Sequence, residues 1–335
     1  MSKFANQFRH VDNAARVQEL LQIEAALSEH PFPPQIVIEN TSYCTLRCIH
    51  CSHREMKRPQ RHMDRDLWEK IVQEIGKESP NCEVWPTFYG EALILGDDLW
   101  KRLDFAAQAG CQNLVLNSNG TLLNKNGNIE KILRSPLRRF ILSLDGFQKE
   151  TFEKIRVKAK WDKVYASVEE LCKKREKSGR DYPVIVAQFS VMEENQGEIE
   201  DFREYWKKAG AEVKIRPLME WGAVGSVRSA SISHDPGFRI ACPWANNTMA
   251  IHQNGDVVAC AVDYEGKLKV GNARTESLKS LWSRLGEILR KPQREHQWDK
   301  LPEICKGCGD WQVAGAEYYG IGSTADLKQT RPFWY

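Results

Sequence analysis

Residues 40–54 read NTSYCTLRCIHCSHR and contain three of the ten cysteines of the chain. Cys44, Cys48 and Cys51 stand in it at the spacing C-x3-C-x2-C, directly after a short apolar run. Thiolates are soft ligands that suit zinc and iron–sulfur clusters. A structural zinc site usually takes four protein ligands, whereas three thiolates leave one iron of a four-iron cluster open to another ligand. His50 could complete a zinc shell, but it is crowded between two of the cysteines, so the stretch favours an iron–sulfur site.

The composition of the chain is that of an ordinary globular protein. It has 335 residues, of which 41% are hydrophobic and 28% are charged. A net charge of +3 gives no reason to expect a nucleic-acid or anionic-membrane partner. The beginning of the chain has no apolar core of the signal-peptide type, and no run approaches membrane-spanning length, so we expect a cytoplasmic protein. Ten cysteines in such a chain indicate metal ligands rather than disulfides.

From residue 35 to about 222, short apolar strands alternate with amphipathic helices. This alternation predicts an α/β fold with a parallel sheet and right-handed crossovers. Six strand–helix units favour a partial barrel over a complete eight-fold barrel. Sites in such sheets lie at the carboxyl ends of the strands, where the three-cysteine loop falls. The predicted strands are 35–39, 83–89, 113–118, 139–144, 183–192 and 213–218, and the predicted helices are 64–78, 97–109, 126–134, 162–177 and 196–209.

Two further segments flank this core. Residues 1–34 hold a helical stripe that ends at the proline-rich PFPP, and they are too short for a peptide-binding domain. The core is predicted over 35–225 and a smaller C-terminal domain over 236–335, separated by a Gly- and Ser-rich stretch. In the C-terminal domain, Asn254-Gly255 between two apolar runs predicts a hairpin, and a helix is expected near 275–290.

A second set of cysteines lies in the C-terminal domain. Cys242, Cys260, Cys305 and Cys308 have the spacing C-x17-C-x44-C-x2-C, which can supply a complete metal shell. Alone, such a set would indicate structural zinc. Next to a three-cysteine cluster loop, a second iron–sulfur cluster becomes the better interpretation. The remaining thiols are isolated and are expected to be small buried hydrophobes; they are Cys82, Cys111 and Cys172.

The three-cysteine motif resembles that of the radical S-adenosylmethionine (SAM) enzymes, and the C-terminal cysteines resemble the SPASM/twitch extensions of a subset of them. The resemblance covers nearly the whole chain from about residue 35. It implies a partial (β/α)6 barrel with a small C-terminal hairpin and helix domain. It also implies a [4Fe-4S] cluster on Cys44, Cys48 and Cys51, with SAM chelating the fourth iron. With four cysteines after residue 230, we expect one auxiliary [4Fe-4S] cluster, fully ligated by protein.

The resemblance also assigns residues that contact SAM. Gly90 and Glu91 match the family's GGE motif, although Tyr89 replaces its first glycine and Ala92 its following proline. His50 stands where the family often has an aromatic residue near the adenine, and Arg156 resembles an arginine that meets the SAM carboxylate. The remaining contacts expected for ribose and methionine lie at strand ends and are Ser118, Asn119, Ser143 and Asp145. Gln188 and Ser190 on the fifth predicted strand are expected to face the same cavity if that strand keeps its alternation, and Gln188 is counted with the SAM-binding residues.

The resemblance leaves several reactions open. The cysteine spacing is similar to that of aminocyclitol radical SAM dehydrogenases, which favours oxidation of a sugar, cyclitol or related small metabolite. Epimerisation starts with the same hydrogen abstraction and then needs a hydrogen donor, for which the isolated cysteines, Tyr318 and Tyr319 are candidates. A peptide-modifying maturase is the second hypothesis, and a non-catalytic cysteine-rich zinc module is the third. The family's usual electron donor is of the flavodoxin or ferredoxin type.

Candidate catalytic residues follow from position alone. Arg216 and Glu220, at the end of the sixth predicted strand, are placed to face the cavity. Asp263, Glu265 and Asp310 in the C-terminal domain could bind an amine or act as a base, but solvated loop carboxylates are the simpler interpretation of each.

Overall fold

Six parallel strands form the centre of the fold, as the alternating pattern predicts. The computed structural model describes residues 14–221, 227, 229, 232, 237–314 and 316–319. The strands are β1 (Gln35–Ile38), β2 (Glu83–Trp85), β3 (Asn113–Ser118), β4 (Arg139–Ser143), β5 (Val184–Val191) and β6 (Glu212–Pro217). They pair in sequence order with parallel neighbours throughout. The prediction of an α/β partial barrel is confirmed.

Amphipathic helices cover the outside of these strands. Their apolar faces are buried against the sheet, as in α2, where Leu67, Trp68, Ile71, Val72 and Ile75 are buried. The helices of the core are α2 (Arg65–Glu78), α3 (Asp97–Gln108), α4 (Asn128–Arg134), α5 (Lys149–Ile155), α6 (Trp161–Lys177) and α7 (Ile199–Lys208). The first helix, α1 (Ala14–Ala25), packs instead through Leu20 and Ile23 against Ile240, Trp311 and Ala314 of the C-terminal domain.

The C-terminal domain continues the sheet of the barrel. β7 (Thr248–Ile251) pairs parallel with β1, and β8 (Asp256–Val258) and β9 (Lys269–Asn272) follow as antiparallel neighbours. The hairpin turn at Asn254-Gly255 is confirmed, and Gly255 has a φ of 91°, a conformation that glycine adopts without a steric penalty. On the opposite edge, β10 (Glu317–Tyr319) pairs antiparallel with β6, giving the order β10-β6-β5-β4-β3-β2-β1-β7-β8-β9.

Short helices complete the C-terminal domain. They are α8 (Pro243–Asn247), α9 (Leu278–Leu285), α10 (Lys291–Arg294) and α11 (Glu303–Lys306). The helix expected near 275–290 is interrupted, because a π-helical turn over Gly286–Arg290 follows α9. Two other expectations were wrong in detail. β2 ends at Trp85 rather than near residue 89, since Pro86 cannot continue the strand's hydrogen bonding, and α5 lies where no helix was predicted.

The three isolated cysteines pack in the main core, as expected. Cys82, Cys111 and Cys172 are at most 4% exposed and belong to the large apolar cluster between the sheet and the outer helices. Among the described residues, no helix is long and apolar enough to span a membrane. The side chain of Tyr318 lies outside the described residues, and Tyr319 packs against the core with Arg203 at 5.1 Å from its ring.

Candidate active site

The three-cysteine loop lies directly above the carboxyl end of β1. Cys44, Cys48 and Cys51 all line one cavity that opens into the barrel. The loop turns at Cys48, whose carbonyl oxygen accepts a hydrogen bond from the Cys51 N–H at 3.2 Å. Burial raises the pKa of the Cys44 thiol to about 11 and that of the Cys51 thiol to about 12. Buried thiols of this kind stay protonated unless a metal ion replaces the proton. Three such thiols in one loop therefore fit the cysteine ligands of a cluster.

A buried ion pair stands next to the loop. Arg156 donates from Nη2 to Asp145 Oδ2, and its Nη1 lies 3.6 Å from Cys48 Sγ. Asp145 has no exposed surface, adopts a positive φ of 58°, and accepts the Ser190 N–H at 2.7 Å. His50 Nε2 lies 3.5 Å from the same carboxylate. Burial lowers the pKa of His50 to about 4, so this imidazole is neutral at neutral pH.

The Glu91 carboxylate is held by three donors. It accepts hydrogen bonds from the Leu93 N–H at 3.1 Å, the Ser118 hydroxyl at 3.0 Å and the Asn119 N–H at 2.8 Å. Asn119 Nδ2 in turn lies 3.8 Å from Cys44 Sγ. Glu91 and Asn119 line the cavity, while Ser118 is 1% exposed and joins the loop after β2 to the end of β3. These residues therefore fix the loop that faces the cysteines.

Gly90 allows two loops to approach each other closely. A Cβ at this position would lie 2.0 Å from the carbonyl oxygen of Thr41 and 2.9 Å from that of Tyr43. The preceding loop contributes Tyr89, whose hydroxyl donates to the Ala261 carbonyl oxygen at 2.6 Å. The tyrosine that departs from the family motif thus joins the barrel to the C-terminal domain.

A row of polar side chains crosses the inner wall of the barrel. Ser143, Gln188 and Lys214 are in register on β4, β5 and β6, and Gln188 Nε2 donates to Ser143 Oγ at 3.1 Å. Asn117 on β3 extends the row and donates to the same hydroxyl at 3.1 Å. All four residues line the cavity. Sequence reasoning missed Asn117 and Lys214. The available signal was strand alternation, because Lys214 stands two residues before Arg216 and Asn117 two residues before Asn119.

Aromatic and apolar side chains close the cavity on the side of the C-terminal domain. Met219 and Trp221 follow β6, Trp244 lies on α8, and Ala261 follows β8. Trp244 is two residues from Cys242, and Ala261 is the neighbour of Cys260. The wall of the cavity is therefore built next to two of the four C-terminal cysteines.

The four C-terminal cysteines come together from separate elements. Cys242 caps α8, Cys260 follows β8, Cys305 lies on α11 and Cys308 follows it. Burial raises the pKa of Cys260 well above its usual value, and the neighbouring thiols Cys305, Cys242 and Cys308 raise it further. Among the described residues, no three His, Cys, Asp or Glu side chains stand close enough to enclose a single ion. A four-iron cluster binds each thiolate through a different iron and needs a wider ring of ligands.

The candidate catalytic residues at the end of β6 are placed differently from each other. Arg216 lines the cavity, with its guanidinium 5.9 Å from the Trp244 ring. Glu220 is buried, and its Oε1 accepts the Ser229 N–H at 2.7 Å while its own N–H donates to Asp310 Oδ1 at 2.6 Å. The cavity wall beside it is formed by Met219 and Trp221. Glu220 thus connects the segment after β6 to Ser229 and to the loop that contains Asp310.

The three loop carboxylates considered for catalysis also have structural contacts. Asp263 accepts the Lys267 N–H at 2.7 Å and the Leu268 N–H at 2.9 Å. Glu265 accepts the Lys57 N–H at 2.5 Å. Asp310 and Asp263 are nearly fully buried, so the expectation of solvated loop carboxylates was wrong for both of them.

Comparisons with known proteins agree with this geometry. The radical SAM superfamily model matches residues 38–205, and the model of the SPASM iron–sulfur cluster-binding domain matches residues 242–309. No curated protein matches the chain. The fold is similar to BtrN in complex with AdoMet and 2-DOIA, with a TM-score of 0.61 and 17% identity over 85% of this chain and 96% of that one.

Two other solved structures share the fold. SuiB of Streptococcus suis, bound to precursor peptide SuiA, has a TM-score of 0.61 and 15% identity over 89% of this chain and 74% of that one. Native anSMEcpe with bound AdoMet has a TM-score of 0.57 and 15% identity over 83% of this chain and 89% of that one. The superfamily match identifies a [4Fe-4S] cluster with SAM as a cofactor of this chain, and the SPASM match identifies an auxiliary iron–sulfur cluster. The chain is therefore a member of the radical SAM superfamily with a C-terminal SPASM domain.

Proposed function

We propose that the protein oxidises a sugar, cyclitol or related small metabolite by abstracting a hydrogen atom from a carbinol carbon. One observation carries this proposal: a single cavity is lined both by Cys44, Cys48 and Cys51 and by Trp244 and Ala261, which adjoin the auxiliary cysteines. A substrate in this cavity lies between the two cofactor sites. When bound, SAM and its cluster supply the 5′-deoxyadenosyl radical, and the auxiliary cluster supplies an electron acceptor.

Separate groups of residues are assigned to the two clusters and to SAM. Cys44, Cys48 and Cys51 hold the SAM cluster, and Cys242, Cys260, Cys305 and Cys308 hold the auxiliary one. We infer that Arg156 binds the SAM carboxylate, since its guanidinium lies beside the cysteine loop and is oriented by Asp145. We assign His50, Gly90, Glu91 and Asn119 to the remainder of the SAM site, with Ser118 supporting Glu91.

The character of the inner wall supports a polyol substrate. Asn117, Ser143, Gln188 and Lys214 offer amide, hydroxyl and amine groups in one row, and Trp85 and Trp221 offer aromatic surface. Sugars and cyclitols present alternating hydroxyl groups and C–H faces that suit this combination. BtrN, which is bound to 2-DOIA in its structure, provides a precedent for the fold. We also infer a flavodoxin- or ferredoxin-type protein as the electron donor.

Oxidation fits the described thiols better than epimerisation does. Epimerisation needs a hydrogen donor in contact with the substrate, and Cys82, Cys111 and Cys172 lie in the core cluster between the sheet and the helices. The four auxiliary cysteines can ligate a cluster completely, which suits electron acceptance rather than substrate coordination. A peptide substrate is the second candidate, favoured by the likeness to SuiB with its precursor peptide.

Anaerobic assays distinguish these functions. Reconstituted protein is incubated with SAM, a reductant and a panel of cyclitols and sugars deuterated at their carbinol carbons. We expect deuterium in 5′-deoxyadenosine together with a ketone product. Deuterium transfer with an inverted carbinol would indicate an epimerase. Turnover of a peptide alone would contradict the small-molecule proposal, and stoichiometric zinc in place of iron would contradict cluster chemistry altogether.

A further inference from the structure

Lys214 is a buried lysine on the inner wall of the barrel. It lies in the middle of β6, is 1% exposed and lines the same cavity as the cysteine loop. Its register partner on β5 is Gln188, which bonds Ser143 on β4. The Lys214 Nζ lies 6.0 Å from the ring centroid of Trp85, which lines the same cavity, so the lysine belongs to the wall that a substrate hydroxyl at this polar row would face.

The proposed oxidation needs a proton acceptor at this place. Conversion of a carbinol to a ketone breaks one C–H and one O–H bond and forms the second C–O bond. With SAM and both clusters bound, the hydrogen atom of the C–H bond would be taken up by the 5′-deoxyadenosyl radical, and the auxiliary iron–sulfur cluster would accept the remaining electron. The hydroxyl proton is left, and a group on the cavity wall has to accept it.

The other titratable groups of the described cavity wall fit this role poorly. The Glu91 carboxylate is occupied by three donors, and His50 lies between two of the cluster cysteines and is assigned above to the SAM site. Burial raises the pKa of Tyr89 well above its usual value, so the phenol stays protonated. Arginines do not deprotonate in proteins, and the three cysteines are cluster ligands. Among the described residues lining the cavity, Lys214 is thus the suitable base.

Burial and two neighbouring arginines favour the neutral amine at Lys214, and one carboxylate opposes them. Burial lowers its pKa well below the usual value, and the nearby Arg216 and Arg139 lower it further, while Glu83 opposes them. Glu212 precedes it by two residues on the same strand. A desolvated amine next to other cations favours its neutral form, which carries the lone pair that a base requires.

We propose that Lys214 is the catalytic residue that accepts the hydroxyl proton of the substrate. This assignment rests on the proposed oxidation. The amine becomes an ammonium as the O–H bond breaks, so atoms and charge balance with the hydrogen atom and electron accounted for above. Gln188 and Ser143 hold the hydroxyl in the row that ends at Lys214.

The state of the amine can be measured without turnover. Anaerobic holoenzyme is labelled with trace acetic anhydride across a range of pH, and acetylated peptides are quantified by mass spectrometry. We expect labelling of Lys214 to rise at a lower pH than labelling of Lys208, which is exposed at the end of α7. A Lys214 profile identical to that of Lys208, or a Lys214 that stays unlabelled at every pH, would overturn the proposal.

Substitutions test the role in the reaction. Lys214→Arg and Lys214→Met are compared with the native enzyme, and Lys208→Met serves as the control. The probes are scyllo-inositol and 2-deoxy-scyllo-inosamine, deuterated at the carbinol carbons. In both Lys214 variants we expect deuterium to enter 5′-deoxyadenosine while ketone per deoxyadenosine falls about 100-fold or more. The Arg variant keeps the positive charge, so its rescue of ketone formation would contradict a base and indicate a charge effect.

The labelling and substitution experiments together distinguish a failure of the Lys214 assignment from a failure of the proposed function. If neither probe transfers deuterium, the small-molecule proposal has failed, and the labelling profile still decides whether Lys214 is a neutral amine. If the native enzyme makes ketone and the Lys214→Met variant makes it at the same ratio, the proposed function stands and the assignment of Lys214 is wrong.

Discussion

At the scale of single residues, Glu91 shows how one carboxylate organises the site. Its two oxygens accept from two backbone N–H groups and one hydroxyl, all nearly excluded from water. Burial raises its pKa, and the backbone hydrogen bond from Asn119 is the first contact that opposes this. The side chain therefore connects the loop after β2 to the end of β3, so its substitution affects both loops.

We expect Glu91→Gln to destabilise the protein by about 1–3 kcal/mol, because an amide NH2 would face a donor whichever way it turns. The free energy of unfolding in denaturant checks this. Glu295→Gln, at an exposed position, serves as the control. SAM binding should weaken in the Glu91 variant as the loop shifts. Unchanged stability and unchanged SAM binding would show that the three hydrogen bonds do not hold the loop.

A second residue predicts a dependence of stability on pH. His252 is 2% exposed, and burial followed by the neighbouring Arg58 lowers its pKa to about 3, from an ordinary value of 6.5. Below about pH 6.5 the unfolded chain therefore binds a proton at this histidine, whereas the folded chain binds it only as the pH approaches 3. The destabilising contribution of His252 is therefore absent above this pH and grows as the pH drops towards 3, by up to about 1.4 kcal/mol per pH unit.

Comparison of variants isolates this histidine from the other buried ones. We expect His252→Gln to flatten the acid limb of the unfolding midpoint measured anaerobically between about pH 5 and pH 8. His296→Gln, at an exposed histidine, should leave the limb as it is. Equal slopes in the native protein and the His252 variant would refute the contribution of this residue.

At the scale of elements, the loop after β2 packs against the cysteine loop through Gly90. We expect Gly90→Ala to separate these loops, because the added Cβ would overlap the Thr41 carbonyl oxygen and backbone cannot move aside easily. Loss of cluster content and of SAM cleavage, measured by iron analysis and deoxyadenosine formation, checks this. Gly197→Ala is the matched control, since nothing lies within 4 Å of its Cβ. A Gly90 variant that retains both properties would contradict the close packing.

The strand and helix pattern was largely predictable from the sequence, because each element carries its own periodicity. Strand β3 is found at the predicted residues 113–118, and α2 and α3 differ from prediction by one residue at one end. The short α5 was missed since seven residues give little more than two turns of pattern. The π-helical turn after α9 was missed because the apolar spacing continues through it.

The site was predictable only in part, for a related reason. A motif such as C-x3-C-x2-C brings its residues together by local spacing, whereas the row of Asn117, Ser143, Gln188 and Lys214 depends on the register of four strands. Register is set by packing of the whole sheet, which a single strand's sequence does not reveal. For the same reason, the buried contacts of Glu220 with Ser229 and Asp310 could not be read from its position after β6.

In the molecule as a whole, mutation should remove the function of one cofactor site and leave that of the other. We expect the double variant Cys305→Ala and Cys308→Ala to keep the SAM cluster and to cleave SAM, but to form no oxidised product, since the electron acceptor is gone. Iron should fall from about eight to about four atoms per chain. Normal product formation at the lower iron content would contradict the electron-acceptor role.

The matched variant removes the other cluster. We expect replacement of Cys44, Cys48 and Cys51 by Ala to abolish deoxyadenosine formation while the auxiliary cluster stays. Iron content again falls by half, so the two variants differ in activity rather than in the amount of metal. Deoxyadenosine from the triple variant would refute the assignment of the cleavage cluster.

The parallel pairing of β1 with β7 limits how this protein can be rebuilt. Removing the C-terminal domain would expose the backbone N–H and C=O groups of β1 as an open edge, which invites pairing between chains and aggregation. A truncated barrel would therefore be a poor starting point for engineering. A chimera that exchanges the auxiliary domain with that of another enzyme has to carry β7 in the same register, with Thr248 opposite Gln35.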